Sequence, residues 1–174
     1  MTVKAEVKSI TAEPLESKAY APFGAVVSAQ ADTAATSANM GTAKRFNKLG
    51  RLENLRPAAA PNLCVFRSSP FQDPSFEIRL VERHLHSTQL FIPMACEKRY
   101  LVVVCSGADK PDLATLRAFI ARKDQGITYH PGVWHHPLIA LDQVTDFACV
   151  VWEDDSADDC EVHKLESYIA VDLT

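Results

Sequence analysis

Five of the six histidines in this chain fall in two short tracts, and these tracts hold the residues whose types and spacing could do chemistry. The first tract runs Glu82-Arg83-His84-Leu85-His86-Ser87-Thr88-Gln89. Residues two apart on a strand share a face, so His84 and His86 are expected to point the same way, with Gln89 just past a bend. The second runs Gly126-Ile127-Thr128-Tyr129-His130-Pro131-Gly132-Val133-Trp134-His135-His136-Pro137. Its Pro131-Gly132 pair predicts a turn, after which the chain re-enters a sheet at His135. Imidazole changes charge near neutral pH and also ligates metals, so the two tracts suit acid-base work or cation binding.

These residues need elements to position them. Val3–Ile10 alternates and reads as a strand, and Thr11 could cap a short helix over Pro14–Tyr20. Ala25–Ala29 reads as a strand, Gln30–Thr42 as a long polar loop, and Lys44–Leu49 as a return to the sheet. Asn54–Pro61 reads as a connector. Further strands are expected at Leu63–Ser68, Phe76–Arg83, Gln89–Pro93, Arg99–Ser106, Gly126–Tyr129, Leu138–Leu141 and Val144–Trp152, with turn residues between them. Asp112–Leu116 is expected to form one turn and Arg117–Ala121 a strand. The acidic stretch Glu153–Asp159 reads as a solvated loop. Many short strands separated by turn signals predict a mostly β sandwich or barrel with a few short helices.

Composition sets the bounds. The chain has 174 residues, 47% hydrophobic and 23% charged, with no composition shift that would mark a linker, so residues 1–174 are read as a single domain. Net charge is −4, and the longest basic cluster, Lys44, Arg45, Lys48 and Arg51, is short and interrupted, so nucleic acid is not an expected partner. No stretch has the length and apolarity of a membrane span, and none reads as a secretory leader. The five cysteines are odd in number and lack CxxC spacing, which suits reduced thiols in a cytoplasmic protein.

The two histidine tracts resemble the two cupin motifs, His-x-His followed by a glutamate and then a Pro/Gly turn followed by His. The resemblance implies a small cupin-like antiparallel β-barrel with both motifs inside it. It also implies a divalent metal held by His84, His86, Gln89 and His135. Gln89 stands where the glutamate would be, and a neutral amide is a poorer cation ligand, so no cofactor is expected as a requirement. The likeness is sharper to the ureidoglycolate lyase family. It rests on Glu82-Arg83-His84 with Thr88-Gln89-Leu90-Phe91-Ile92-Pro93-Met94, on Asp109-Lys110-Pro111-Asp112-Leu113 with Thr115–Phe119, on Gln125–Leu138 and on Thr145-Asp146-Phe147. Asn39, Gly41, Arg45 and Phe46 fit more loosely.

That resemblance implies cleavage of ureidoglycolate to glyoxylate and urea in allantoin and purine catabolism. His84 and His135 would be base and acid, in either order, with Gln89 and Tyr129 orienting the substrate. Arg45, Lys98 or Arg117 would face its carboxylate, and His136 and Trp134 would line the pocket. A metal-dependent cupin dioxygenase or isomerase is the alternative, and a non-catalytic sensor of a small acid is a third reading. Cupin-like barrels often pair through sheet edges, so a homodimer is expected.

Overall fold

The computed structural model describes residues 8–29 and 34–173. Among them lie strands β1 (Ser9–Thr11), β2 (Glu13–Pro14), β3 (Val26–Val27), β4 (Ala35–Ala38), β5 (Ala43–Phe46), β6 (Ala60–Ser68), β7 (Ser75–Arg83) and β8 (Gln89–Ala95). They are followed by β9 (Arg99–Cys105), β10 (Arg117–Arg122), β11 (Gly126–Tyr129), β12 (Trp134–His135), β13 (Ile139–Ala140), β14 (Thr145–Glu153) and β15 (Glu161–Asp172). One helical turn, α1 (Ser17–Tyr20), and three 3-10 turns complete the set.

Two sheets carry the architecture. The first runs β1-β15-β7-β12-β9-β10-β2, with β13 also on β9, and the second runs β3-β11-β8-β14-β6. Most pairings are antiparallel, while β1 with β15 and β2 with β10 are parallel. The unbroken apolar run Tyr100–Cys105 follows from burial on both faces of β9. Tyr100, Val102 and Val104 pack with Phe91, Ile127, Tyr129 and Phe147 between the sheets. Leu101, Val103 and Cys105 pack on the other side with Ile78, Trp134 and Val171. The expected mostly β, cupin-like arrangement with short helices is what forms. No helix among the described residues is long and apolar enough to cross a membrane.

Several expectations need correction. The helix over Pro14–Tyr20 shrinks to Ser17–Tyr20 with Glu16 at its N-cap, because Glu13–Pro14 pairs with β10. Thr11 belongs to β1, and the first part of the Val3–Ile10 strand lies outside the described residues. The expected loop Gln30–Thr42 contains β4, with Gln30–Thr33 outside the described residues. Its Ala-Thr-Ser-Ala sequence has no apolar alternation. It becomes a strand because Asn39 and Met40 take positive φ and fold β5 back onto it. Lys44–Leu49 therefore does not rejoin a main sheet. No strand was expected after Trp152, yet β15 pairs with β7 along most of its length. Its apolar residues follow no single alternation, with Val162 exposed, Leu165 partly buried, and Ile169 and Val171 buried.

Candidate active site

Two cross-strand pairs face each other across the sandwich. In the first sheet His135 of β12 stands opposite Glu82 of β7. In the second, Tyr129 of β11 stands opposite Gln89 of β8. The turn between β11 and β12 depends on Gly132, whose φ of 79° suits glycine, and the Gly132 N–H donates to the His84 carbonyl at 2.9 Å. That bond ties the two histidine tracts together.

The rings form a ladder. Tyr129 and His135 stack at 3.9 Å and 9°, and His135 and His84 at 5.7 Å and 21°. His84 Nδ1 lies 2.7 Å from the Asp159 carbonyl oxygen, and His135 Nδ1 lies 2.9 Å from that of Val133. A carbonyl can only accept, so each Nδ1 carries the proton and each Nε2 presents a lone pair. Both Nε2 atoms, Gln89 Oε1 and the Tyr129 hydroxyl are buried without a hydrogen-bond partner among the described residues. Buried polar atoms are seldom left unpaired, and four in one cluster mark a place for a ligand. A cavity of about 60 Å³ lies there, lined by Glu82, Gln89 and His135 with Phe66, Phe91 and Leu138 as walls.

Burial sets the protonation states. It pushes His84 below the usual imidazole range, and burial beside His84 pushes His135 down to about 3. Both imidazoles are therefore neutral near neutral pH. Burial also raises the Glu82 carboxyl, opposed by a hydrogen bond with Cys160, and holds the Tyr129 phenol un-ionised. Glu82 Oε1 is 3.7 Å from His135 Nε2.

The structure thus brings His84, Gln89, Tyr129 and His135 together and places the other expected residues elsewhere. His86 sits in the turn after β7 and lines a separate surface hollow with Ala157, Asp158 and Glu161. Arg45 is exposed on the β4–β5 hairpin, and Lys98 is exposed in the bend before β9. Arg117 is occupied by Glu13 and the Ala19 carbonyl, and it lies over the Phe119 ring. His136 bonds the Pro137 carbonyl and packs edge-on against Phe76. Trp134 alternates away from His135 into the second core, where its Nε1 donates to the Ala108 carbonyl under Arg83.

The cupin-type metal set also fails to fit. His84, Gln89 and His135 converge, but His86 does not join them, and Gln89 is an amide that also bonds the Cys149 thiol. Sequence reasoning missed Glu82 and Cys160. The rule that put His84 and His86 on one face applied equally to Glu82 and His84. Cys160 gave no signal, because the strand that follows it was not anticipated.

The fold and site define a mostly antiparallel β-sandwich with a small cavity between its sheets, lined by both apolar and polar side chains. The chain belongs to the ureidoglycolate lyase family, whose model, described as "Ureidoglycolate lyase", matches residues 7–172. A ureidoglycolate lyase of Burkholderia cepacia is 42% identical over 139 residues, 79% of this chain and 76% of that one. One of Schizosaccharomyces pombe is 36% identical over 184 residues, 95% and 96% of the two chains. One of Salmonella typhimurium is 37% identical over 155 residues, 89% and 93%. Among solved structures, a dTDP-6-deoxy-D-glucose-3,5-epimerase of Legionella pneumophila aligns with TM-score 0.41 and 13% identity, over 82% of this chain and 77% of that one.

Proposed function

We propose that this protein is a lyase that splits ureidoglycolate into glyoxylate and urea. The observation that carries the reading is the cluster of four unpartnered buried polar atoms, on His84, Gln89, Tyr129 and His135, beside one small cavity. Family membership supports the substrate, and it does not favour a dioxygenase or isomerase.

The substrate carries a hydroxyl and a ureido nitrogen on one carbon, next to a carboxylate. His135 Nε2 lines the cavity with a free lone pair and takes the hydroxyl proton. The O–H electron pair becomes the second bond of the aldehyde, and the C–N pair leaves with the ureido nitrogen. The imidazolium returns its proton to that nitrogen, urea departs, and the enzyme is restored. One imidazole suffices because the net change is a proton moved from oxygen to nitrogen. Gln89 Oε1 accepts from the ureido N–H groups, and the Tyr129 hydroxyl donates to the carboxylate. His84 stacks beside His135 and keeps its ring in place.

The test is product analysis. Purified protein should convert ureidoglycolate to glyoxylate and urea in equal amounts without ammonia. Ammonia release would identify an amidohydrolase and overturn the reading.

We also propose a homodimer through β6. This strand is nine residues long, lies at the edge of its sheet and exposes Leu63, Val65 and Phe66. Long apolar edges invite pairing with another chain. Light scattering should give twice the chain mass, and Val65→Lys should give the monomer.

A further inference from the structure

Two cysteines that the elimination does not use stand opposite each other beside the cavity. Cys64 of β6 and Cys149 of β14 are register partners in an antiparallel pair. Residues directly opposite on such strands have Cα atoms about 4.5–5.5 Å apart. A disulfide joins Cα atoms about 4.4–6.8 Å apart, so the pairing supplies the spacing that a bridge needs. The side chains agree with the backbone, because the two thiols are hydrogen-bonded to each other. Among the described residues, no other two cysteines are strand partners; Cys105, for example, stands opposite Trp134.

The pair reaches the site at one end and solvent at the other. Cys149 is fully buried, and its sulfur also bonds the Gln89 amide. Gln89 Oε1 has no partner among the described residues, so it is the amide N–H that donates to the sulfur. Cys149 therefore sets which way the amide turns and leaves the carbonyl oxygen for a ligand in the cavity that Gln89 lines. Cys64 is half-buried on the edge strand of its sheet and shares a face of β6 with Phe66, which also lines the cavity. Burial raises the Cys149 thiol, so Cys64 is the one that a dissolved oxidant meets first.

We propose that Cys64 and Cys149 form a modification site, a cross-strand dithiol that a hydroperoxide converts to a reversible disulfide, and that the bridge draws Cys149 away from Gln89 and slows turnover. The Cys64 sulfur attacks the O–O bond, becomes a sulfenic acid and releases an alcohol, or water where the oxidant is hydrogen peroxide. The Cys149 sulfur then attacks the Cys64 sulfur, the S–O bond breaks, and the hydroxyl leaves as water with the Cys149 proton. The two thiols give up two electrons, and one peroxide bond is reduced. The S–S bond is about 2.0 Å long, far shorter than a hydrogen-bonded thiol contact, so the sulfurs close on each other. Gln89 loses its fixed acceptor, and its amide is free to turn an N–H toward the ureido group in place of the oxygen. Only the effect on turnover rests on the lyase reading; disulfide formation does not.

The test is treatment of the purified protein with hydrogen peroxide, read by peptide mass spectrometry under non-reducing conditions and by the rate of glyoxylate formation. The wild type should yield a linked Cys64–Cys149 peptide and lose kcat roughly five- to tenfold, the size of one misplaced hydrogen bond. Dithiothreitol should remove the link and restore the rate. Cys64→Ser leaves Cys149 and Gln89 in place, so it should start at the wild-type rate and keep that rate after peroxide. Oxidised wild type without the linked peptide, or with Cys64 joined to another cysteine, would overturn the site. A linked peptide with an unchanged rate would overturn its hold on Gln89, and so would a Cys64→Ser protein that peroxide slows as much as wild type. The link is detected without turnover, so a failed lyase assay would remain a separate result.

Discussion

His84 and Asp159, 75 positions apart, are joined by a hydrogen bond of 2.7 Å from the imidazole Nδ1 to the main-chain carbonyl oxygen. Asp159 is itself held, because Arg56 donates to its carboxylate, to that of Asp154, to the Ser156 hydroxyl and to the Trp152 carbonyl. The stretch expected to be a solvated loop is therefore a clasp that fixes the position of one of the two central imidazoles. Arg56→Ala should free Asp159, let the His84 ring turn and lower kcat about 10–100-fold, with KM changing little. Steady-state kinetics with the thermal midpoint measured alongside would check this; an unchanged kcat would remove the clasp from the account.

The positions of many strands were readable because they alternate or are continuously apolar, as β8, β9, β11 and β14 do. His84, Gln89, Tyr129 and His135 were readable because each sits in a tract with a turn or a strand face to fix its direction. What escaped the sequence depends on pairing at a distance. β4 and β15 are strands because of what lies beside them, and Cys160 is beside His84 only because β15 pairs with β7. The expected cationic residues failed for a related reason. Arg117 was one of three candidates to face the carboxylate, but its partner Glu13 arrives from 104 positions away through the parallel β2–β10 pair.

Replacing His135 tests the imidazole that lines the cavity. His135→Asn should lower kcat by roughly 10²–10⁴, the usual contribution of a positioned proton-transfer group. His86→Ala and His136→Ala, whose rings lie outside the cavity, should leave kcat within about twofold of wild type in the same range of effects. Parallel assays of glyoxylate formation decide the matter, and equal losses for His86 and His135 would refute the placement.

Gln89 stands where a cupin-type ligand set would have a glutamate, which makes Gln89→Glu informative. The side chain is 4% exposed, stands beside Tyr129 of the adjacent strand in the same sheet and has Phe91 on the same face of its own strand. Among the described residues, no lysine or arginine lines the cavity to pair with a new carboxylate. An unpaired acid there should destabilise the fold by about 1–3 kcal/mol and also cost activity, because protonation would replace an acceptor with a donor. Urea unfolding near neutral pH measures the first effect, and product assays measure the second. A variant as stable as wild type would mean that a cation already sits close enough to neutralise the acid.

Asp142 links backbone conformation, charge and pH at one exposed turn. Its φ is 66°, a region that Asp and Asn tolerate better than most residues, and its carboxylate accepts two hydrogen bonds from Arg99 at 2.9 and 3.0 Å. Arg99 holds the Asp142 carboxyl below the usual carboxylate range. A depressed folded-state value means that the unfolded chain binds the proton more readily. The stabilisation is thus present above the ordinary carboxylate range and lost as pH falls through the folded-state value. Solvent screens the pair, so Asp142→Asn, which keeps the turn preference, should cost no more than about 1 kcal/mol at neutral pH. That gap should close on acidification. Asp142→Ala should cost roughly 1 kcal/mol more, because alanine is strained at positive φ, and this extra loss should not vary with pH. Urea unfolding of the three proteins at neutral and acid pH separates the two contributions. A gap between wild type and Asp142→Asn that stays constant across that range would show that the Arg99 pairing contributes nothing to stability.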